Sequence, residues 1–320
     1  MRNELLEFLD KSNTFEVRGL RLLLEYFFAN EEFREFHTGP GIGISVFGSA
    51  RIQPDSKIYQ DAVKVGRLLY ESNFAVVTGA SMGVMEGANR GVFDGISFKM
   101  KKEFGEMSES EIMNHPFYKK EIKNYSLGLK INLPFEKEPN SYLGNMVSFH
   151  YFAIRKFYFT MLSRGFIRME GGWGTRDEFW EMCTLVQTGK APLMPIIVLP
   201  DRGGFLKQEM DRNIEGGFIN EYDRYLVDIV ETPEEAVAVL NNFYKNIQKI
   251  HYTRDWDIEI FTKRPLDEKI KTSMEGYLKK HPGIFGSLMY DSDKVLIHGY
   301  TFKSFGHLRL LLNILNGLSE

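Results

Sequence analysis

The sequence has a single cysteine, no long apolar run and almost no surplus of either charge. The only cysteine is Cys183, so the chain cannot form an internal disulfide, which is typical of a reducing compartment. No segment reaches the roughly 18 uninterrupted apolar residues of a transmembrane helix, and the first residues carry acidic side chains where a secretory signal needs an apolar core. We therefore expect a cytoplasmic protein with no membrane partner.

The charge and histidine patterns exclude further classes. A net charge of −3 provides no basic field, so nucleic acid is not an expected partner. The seven histidines show no metal-binding spacing, and no Cys-x-x-Cys occurs, so we expect no metal site. With 320 residues, of which 43% are hydrophobic, the chain can bury a substantial core in one large or two small domains.

Short β-rich runs alternate with helical segments across residues 41–247. The runs "IGISVFGSAR" and "FAVVTG" each end near glycine and are each followed by a segment with helical spacing. "SLGLKINLP", "GFIRME" and "LMPIIVLP" continue the alternation. This order predicts an α/β domain with a Rossmann-like parallel sheet and helices on both faces.

Other parts of the chain depart from this pattern. We predict an N-terminal helical segment over 1–40, a charged helical insertion over about 96–124, and a small C-terminal α/β appendage over 248–320. The stretch "MVSFHYFAIRKFYFTMLSR", residues 146–164, is interpreted as one long and largely buried helix.

A glycine-rich turn lies between a predicted strand and helix in "RMEGGWGTRDEFWE", residues 168–181. The first amides of a helix have no intrahelical partners, and the helix dipole adds partial positive charge there. Glycines let a phosphate approach such amides, and a threonine hydroxyl adds a donor. The turn therefore predicts a phosphate site at Gly171, Gly172, Gly174 and Thr175. The alternative is a tight strand-to-helix turn with a threonine cap and no ligand.

Two more glycine turns, in "VFGSAR" and "TGASMGVMEGANRG", follow the first two predicted strands. Neither is the Gly-x-Gly-x-x-Gly dinucleotide signature or a P-loop. The carboxyl ends of parallel strands meet at one sheet edge, so three such turns together predict a nucleotide site at that edge.

Charged side chains near this glycine-rich turn are candidates for catalysis. Glu178 lies about one helical turn beyond the glycines, where a carboxylate would face the sugar of a bound nucleotide and stabilise an oxocarbenium-like state. Arg155 and Lys156 interrupt an aromatic helix, which is costly unless they meet an anion or reach solvent. A phosphate or the carboxylate would explain Arg155, and a structural ion pair is the alternative. Asp177 is interpreted as a solvent-exposed residue or as one that complements the helix dipole.

Several of these motifs resemble those of a known protein family. "GGWGTRDE" resembles the Pro-Gly-Gly-x-Gly-Thr-x-x-Glu signature of the LOG family, the cytokinin riboside monophosphate phosphoribohydrolases once misnamed lysine decarboxylases. The stretches "VFGSAR", "VVTGASMGVMEGANRG", "SLGLKINLPFEKEPN", "FHYFAIRKFYF" and "TLVQTGK" resemble larger bacterial members in the same order. The resemblance covers roughly residues 40–245.

The resemblance implies a Rossmann-like fold, a homodimer or higher homo-oligomer, and hydrolysis of nucleoside 5′-monophosphates to free base and ribose 5-phosphate. It implies no redox cofactor and no pyridoxal phosphate, so the decarboxylase label is not adopted. The catalytic arginine and glutamate fall on Arg155 and Glu178. The substrate- and phosphate-binding positions fall on Ser49, Arg51, Gly79, Gly83, Glu86, Gly171, Gly172, Gly174 and Thr175.

Three departures from the family pattern keep a second hypothesis open. Glu170 replaces the usual proline and adds negative charge beside the expected phosphate. Gly79-Ala80-Ser81 replaces the usual three glycines, and the 96–124 insertion replaces a short connection. The alternative is a non-catalytic nucleotide-binding or carrier protein on the same fold. The sequence also leaves the preferred base open, between AMP-type and cytokinin nucleotides.

Overall fold

A seven-stranded parallel sheet forms the centre of the molecule, in a computed structural model that describes residues 15–37, 42–133, 138–255, 257–301 and 304–318. Its strands are β1 (Ile42–Phe47), β2 (Phe74–Thr78), β3 (Ser126–Ile131), β4 (Asn145–Phe149), β5 (Ser163–Arg168), β6 (Ile196–Val198) and β7 (Val227–Ile229). They pair in parallel in the order β4-β3-β2-β1-β5-β6-β7.

Helices flank the sheet and bury its central strands. Every residue of β2 is buried, which requires cover on both faces and explains the unbroken apolar run of this strand. The flanking helices are α1 (Phe15–His37), α2 (Lys57–Glu71), α3 (Val84–Phe104), α4 (Glu109–Asn114), α5 (Pro116–Tyr125), α6 (Phe152–Leu162), α7 (Trp173–Gln187), α8 (Phe205–Glu215) and α9 (Pro233–Phe243).

The strand order reverses between β1 and β5. From β1 the chain runs outward to β4, then returns beside β1 and runs outward again to β7. In doubly wound sheets, ligands bind in the crevice beyond the carboxyl ends of the strands at this point. The loops after β1 and β5 meet there, and the Ser49 amide donates to the Glu170 carbonyl at 2.9 Å.

A second, antiparallel sheet of four strands follows, in the order β10-β11-β9-β8. Its elements are β8 (Ile247–Tyr252), β9 (Ile258–Thr262), α10 (Glu268–Lys280), β10 (Leu288–Asp291), β11 (Lys294–Ile297) and α11 (Ser304–Leu315). Arg309 Nη2 of α11 lies 2.9 Å from Asp228 Oδ2 of β7. This ion pair connects the C-terminal helix to the edge strand of the parallel sheet. The expected fold class, with its helical arm and α/β appendage, is confirmed.

The sequence predictions are wrong in one element and untested in others. The predicted single helix over 146–164 is a strand, β4, followed by α6, because exposure alternates from Met146 to Phe149 before helical spacing begins. The predicted insertion contains the end of α3 and helices α4 and α5. The domain boundaries stay predictions, and residues 1–14 and 38–40 of the predicted N-terminal segment lie outside the described residues.

Two features are absent from the described residues. No helix there is long and apolar enough to cross a membrane. No group of three or more histidine, cysteine, aspartate or glutamate side chains there has a geometry that could hold a metal ion.

Helices α2 and α3 approach each other so closely that glycine is required at their contact. A Cβ atom added at Gly91 would lie 2.0 Å from the Val63 carbonyl oxygen and 2.6 Å from the Arg67 amide nitrogen. Both neighbours are backbone atoms, so neither can rotate away. In contrast, a Cβ atom added at Gly276, in α10, would meet nothing within 4 Å.

We therefore expect opposite effects from two helical glycine substitutions. Gly91→Ala should lower the free energy of unfolding by about 1–3 kcal/mol through overpacking. Gly276→Ala should raise it by up to about 1 kcal/mol, since alanine is the better helix former. Urea unfolding followed by circular dichroism measures both, and equal effects would contradict the close helix contact.

Candidate active site

A buried ion pair lies beside the crevice. Arg155 of α6 and Glu178 of α7 place Nη2 and Oε1 3.2 Å apart, and their side chains are only 12% and 7% exposed. A Cβ atom added at Gly79 would lie 3.7 Å from Arg155 Nη1, so the pair adjoins the turn after β2. The structure thus brings together the two residues expected to be catalytic and one of the expected nucleotide-binding glycines.

Aromatic rings hold the arginine in place. The Arg155 guanidinium lies 5.2 Å from the centre of the Phe152 ring and 5.6 Å from that of Phe159, both on its own helix. These cation–π contacts explain how an aromatic helix accommodates this cation. Glu178 projects from the buried side of α7, which also carries Thr175 and Phe179. The pair therefore joins helices α6 and α7.

Burial and neighbouring charges compete at Glu178. Burial raises the pKa of this carboxyl to about 7, against the lowering effects of Arg155 and Lys156. Lys156 Nζ lies 2.9 Å from Asp177 Oδ2 and 2.6 Å from Glu181 Oε2, so one lysine spans the acidic residues on either side of Glu178. A carboxyl that titrates near neutrality is suited to exchange a proton with water or substrate.

The glycine-rich turn leads directly into α7. Gly172 is the N-cap residue and provides no side-chain hydrogen bond, and Thr175 lies within the first helical turn rather than at the cap. A Cβ atom at Gly171 would lie 2.1 Å from Thr175 Oγ1, so only glycine fits there. At Gly172 and Gly174 an added Cβ atom would meet nothing within 4 Å. This end of α7 therefore offers helix amides without a side-chain cap, next to a buried threonine.

The turns after β1 and β2 interlock. The Ser49 carbonyl accepts from the Val84 amide at 3.1 Å, and a side chain at Gly83, whose φ is +66°, would come within 2.4 Å of that carbonyl oxygen. Arg51 is exposed, and its amide donates to Ser49 Oγ at 3.1 Å. Glu86 is half-buried in the first turn of α3. Burial raises its pKa, and the Arg90 charge and a hydrogen bond from the Gly83 amide act in the opposite direction.

A buried polar network supports the second turn, and the sequence analysis missed it. Thr78 Oγ1 donates to Asn89 Oδ1 at 2.8 Å, and Asn89 Nδ2 donates to Ser126 Oγ at 2.8 Å. Asn140 Nδ2 also donates to Asn89 Oδ1, at 3.1 Å. The backbone amide of Asn140 donates to the Ala80 carbonyl at 3.0 Å. Asn89 in the buried part of "GANRG" is the signal that could have indicated this network.

The structure accommodates the residues that depart from the family signature. Glu170 Oε1 lies 2.7 Å from Arg202 Nε, so the added negative charge has a cationic partner. Ala80 adopts a φ of +63°, a conformation that favours glycine. Trp173 is 93% exposed, so it does not pack against a neighbouring helix.

Fold and site together define a doubly wound α/β protein with a glycine-lined crevice. A family model described as "possible lysine decarboxylase" matches residues 111–240, and the model of the SLOG cluster4 family matches residues 41–100. These two matches and the curated relatives confirm the resemblance to the LOG family.

Individual relatives are distant. The rice (Oryza sativa subsp. japonica) protein named probable cytokinin riboside 5′-monophosphate phosphoribohydrolase LOGL2 is 28% identical over 33% of this chain and 43% of its own length. Arabidopsis thaliana cytokinin riboside 5′-monophosphate phosphoribohydrolase LOG1 is 28% identical over 30% of this chain and 46% of its own. The chain thus matches less than half the length of either relative. The molybdenum cofactor binding protein of Rippkaea orientalis aligns over 63% of this chain and 96% of its own, with 21% identity and a TM-score of 0.39.

The raised pKa of Glu178 predicts a pH-dependent stability change. Between the ordinary value of 4.5 and about 7, the unfolded chain releases a proton that the folded protein keeps, so the folded state loses stability as pH rises. Glutamine resembles the protonated acid and escapes this loss. The stability of Glu178→Gln relative to the parent should therefore be higher at pH 8 than at pH 5 by up to about 3 kcal/mol, on top of a pH-independent cost of removing the Glu178 counter-charge from Arg155. Unfolding measured at both values checks this, and a difference independent of pH would contradict it.

Proposed function

We propose that the protein hydrolyses the N-glycosidic bond of nucleoside 5′-monophosphates, releasing free base and ribose 5-phosphate. The observation that supports this proposal best is the Arg155–Glu178 pair, with 3.2 Å between Nη2 and Oε1, buried beside the crevice. A carboxylate can stabilise the oxocarbenium-like state of glycosidic cleavage, and an anion-binding turn beside it would hold the 5′-phosphate of a nucleotide.

In this proposal the substrate phosphate binds at the amino end of α7. Amides of its first turn and the Thr175 hydroxyl are the donors, and the absence of a side-chain cap at Gly172 leaves the amides available to an anion. Such an anion also gains from the dipole of the 15-residue helix. The phosphate then fixes the sugar at a set distance along α7, on the side from which Glu178 projects.

Glu178 acts in its ionised form on the developing oxocarbenium ion. As the bond between the anomeric carbon and the base nitrogen breaks, its electron pair leaves with the base, which takes up a proton. Water then adds to the anomeric carbon, and the carboxylate accepts the proton that water releases and returns it to solvent, which balances the proton that the base takes up from solvent. Arg155 holds the carboxylate in position and supplies a counter-charge, which lets a buried group ionise at neutral pH.

The names of the relatives agree with this reaction class, since both act on cytokinin riboside 5′-monophosphates. For this chain we keep AMP-type and cytokinin nucleotides as alternatives. The homodimer or higher homo-oligomer and the cytoplasmic location implied by the sequence stay predictions.

Base release from a panel of nucleotides tests the proposal. AMP, GMP, CMP, UMP and isopentenyl-AMP are incubated with the protein, and free base is measured by chromatography. We expect release from at least one, and a loss of about a hundredfold or more in Glu178→Gln. Glu181→Gln is the matched control, because Glu181 lies three residues further along α7 and pairs with Lys156 rather than Arg155. It should retain most of the activity.

Two outcomes would contradict the hydrolase. Equal activity of Glu178→Gln and the parent would exclude the proposed role of this carboxylate. Nucleotide binding by calorimetry without release of any base would instead support the non-catalytic binding or carrier protein, for which the Ala80 and Glu170 departures are the specific observations.

A pH profile tests which protonation state is active. Since burial raises the pKa of Glu178 to about 7, base release should rise from pH 6 and level off above pH 8. Lys156→Met removes a cation that lowers this pKa and leaves the charges of Asp177 and Glu181 unbalanced, so the midpoint should move to higher pH. Lys279→Met, at the remote end of α10, is the control. An unmoved midpoint in Lys156→Met would refute this account.

A further inference from the structure

A second, cationic cleft lies between α7 and α8. Three arginines line it, Arg168 at the end of β5, Arg176 on α7 and Arg212 on α8, together with Trp180, Phe205 and Glu209. Its volume is about 210 Å³. The cleft plays no part in the proposed hydrolysis, so its chemistry needs a separate explanation.

The cleft lies on the face of α7 opposite the Arg155–Glu178 pair. Each residue of a helix turns by about 100°, so Arg176 and Trp180, four apart, share a face. Glu178, two residues from each, points about 160° away from that face. The two sites are therefore separated by the thickness of the helix, and a small ligand in one does not reach the other.

The positive charge of the cleft is not balanced within the described residues. Arg168 Nε is buried there without a hydrogen-bond partner, and its guanidinium stacks 5.0 Å from the centre of the Phe179 ring. Arg212 Nε donates to the Gln208 carbonyl, which carries no charge. Glu209 lines the same cleft, but no ion pair joins it to any of the three arginines in this part of the chain.

Neighbouring charges act on Arg168 in both directions. Burial lowers the pKa of Arg168, and the like charge of Arg176 lowers it further, while Asp201 and Glu209 act in the opposite direction. The Asp201 carboxylate already accepts the Leu206 and Lys207 amides, at 3.0 and 3.1 Å, at the start of α8. A bound anion would relieve the repulsion between the two arginines.

We propose that this cleft binds a small, multiply charged oxyanion of the phosphate class. Guanidinium groups bind such oxygens bidentately, and three of them converge here. A volume of about 210 Å³ is below the roughly 300 Å³ of the smallest usual sites for drug-sized ligands, which favours phosphate or pyrophosphate over a whole nucleotide.

Tryptophan fluorescence can separate the two anion sites. The protein Trp173→Phe/Trp256→Phe keeps only Trp180, which lines the cleft, and Trp180→Phe/Trp256→Phe keeps only Trp173, which lies on the glycine turn. Titration of the first protein with inorganic pyrophosphate at low salt should give a saturable change in emission. The second protein reports binding at the turn independently, so failure of the proposed hydrolase leaves this test intact.

Arginine substitutions then assign the binding. In the protein with Trp180 alone, Arg168→Gln and Arg176→Gln should each weaken pyrophosphate binding about tenfold or more, since each removes a charged hydrogen bond. Arg67→Gln is the control, because Arg67 pairs with Glu71 on α2, and this substitution should leave pyrophosphate affinity unchanged. A cooperative melting transition of Arg176→Gln shows that the variant is folded. Pyrophosphate should raise the melting temperature of the parent more than that of this variant.

Three results would overturn the proposal. One is the absence of a saturable change in Trp180 emission at millimolar pyrophosphate. Another is equal affinity in the parent and in both arginine variants. The third is the same change with chloride at matched ionic strength, which would mean screening of the arginines and no site.

Discussion

The ion pair between Arg155 and Glu178 is the interaction on which the candidate site depends. Removing two charges from water is costly, and a pair with 3.2 Å between its atoms and exposures of 12% and 7% offsets that cost only while both partners remain. It links α6 to α7 and places the Arg155 guanidinium beside Gly79, at the turn after β2. A raised pKa at Glu178 is the consequence of the same burial. The ionised form of Glu178 therefore lowers the free energy of unfolding, a cost that is common where a charged group is kept for chemistry.

The surroundings of the pair serve to keep it in one place. Lys156 binds the carboxylates that flank Glu178, so their repulsion does not displace it. The loops after β1 and β5 are joined by the Ser49–Glu170 hydrogen bond, and the network around Asn89 holds the turn after β2. All three turns therefore reach the same edge of the sheet, where the strand order reverses. The cleft around Arg176 uses the other face of α7 and leaves this arrangement untouched.

Glycine-ended strands and helical spacing were enough to predict the parallel sheet, because these patterns are local. The same reasoning failed at β4, where Met146–Phe149 alternate as in a strand but merge into an aromatic helix with no turn residue between them. Arg155 and Glu178 could be named from a family signature, yet their mutual distance and burial depend on how α6 and α7 pack. The Arg202 partner of Glu170 and the network around Asn89 join residues far apart in sequence, so no local pattern reveals them.

The central claim is that Arg155 and Glu178 act as one unit, and a double-mutant cycle tests it most directly. The rate of base release is measured for the parent, Arg155→Met, Glu178→Gln and the protein with both changes. Residues that act together give non-additive effects, so the double variant should be no slower than the slower single variant. If the two losses multiply in the double variant, Arg155 and Glu178 act independently and the account is wrong.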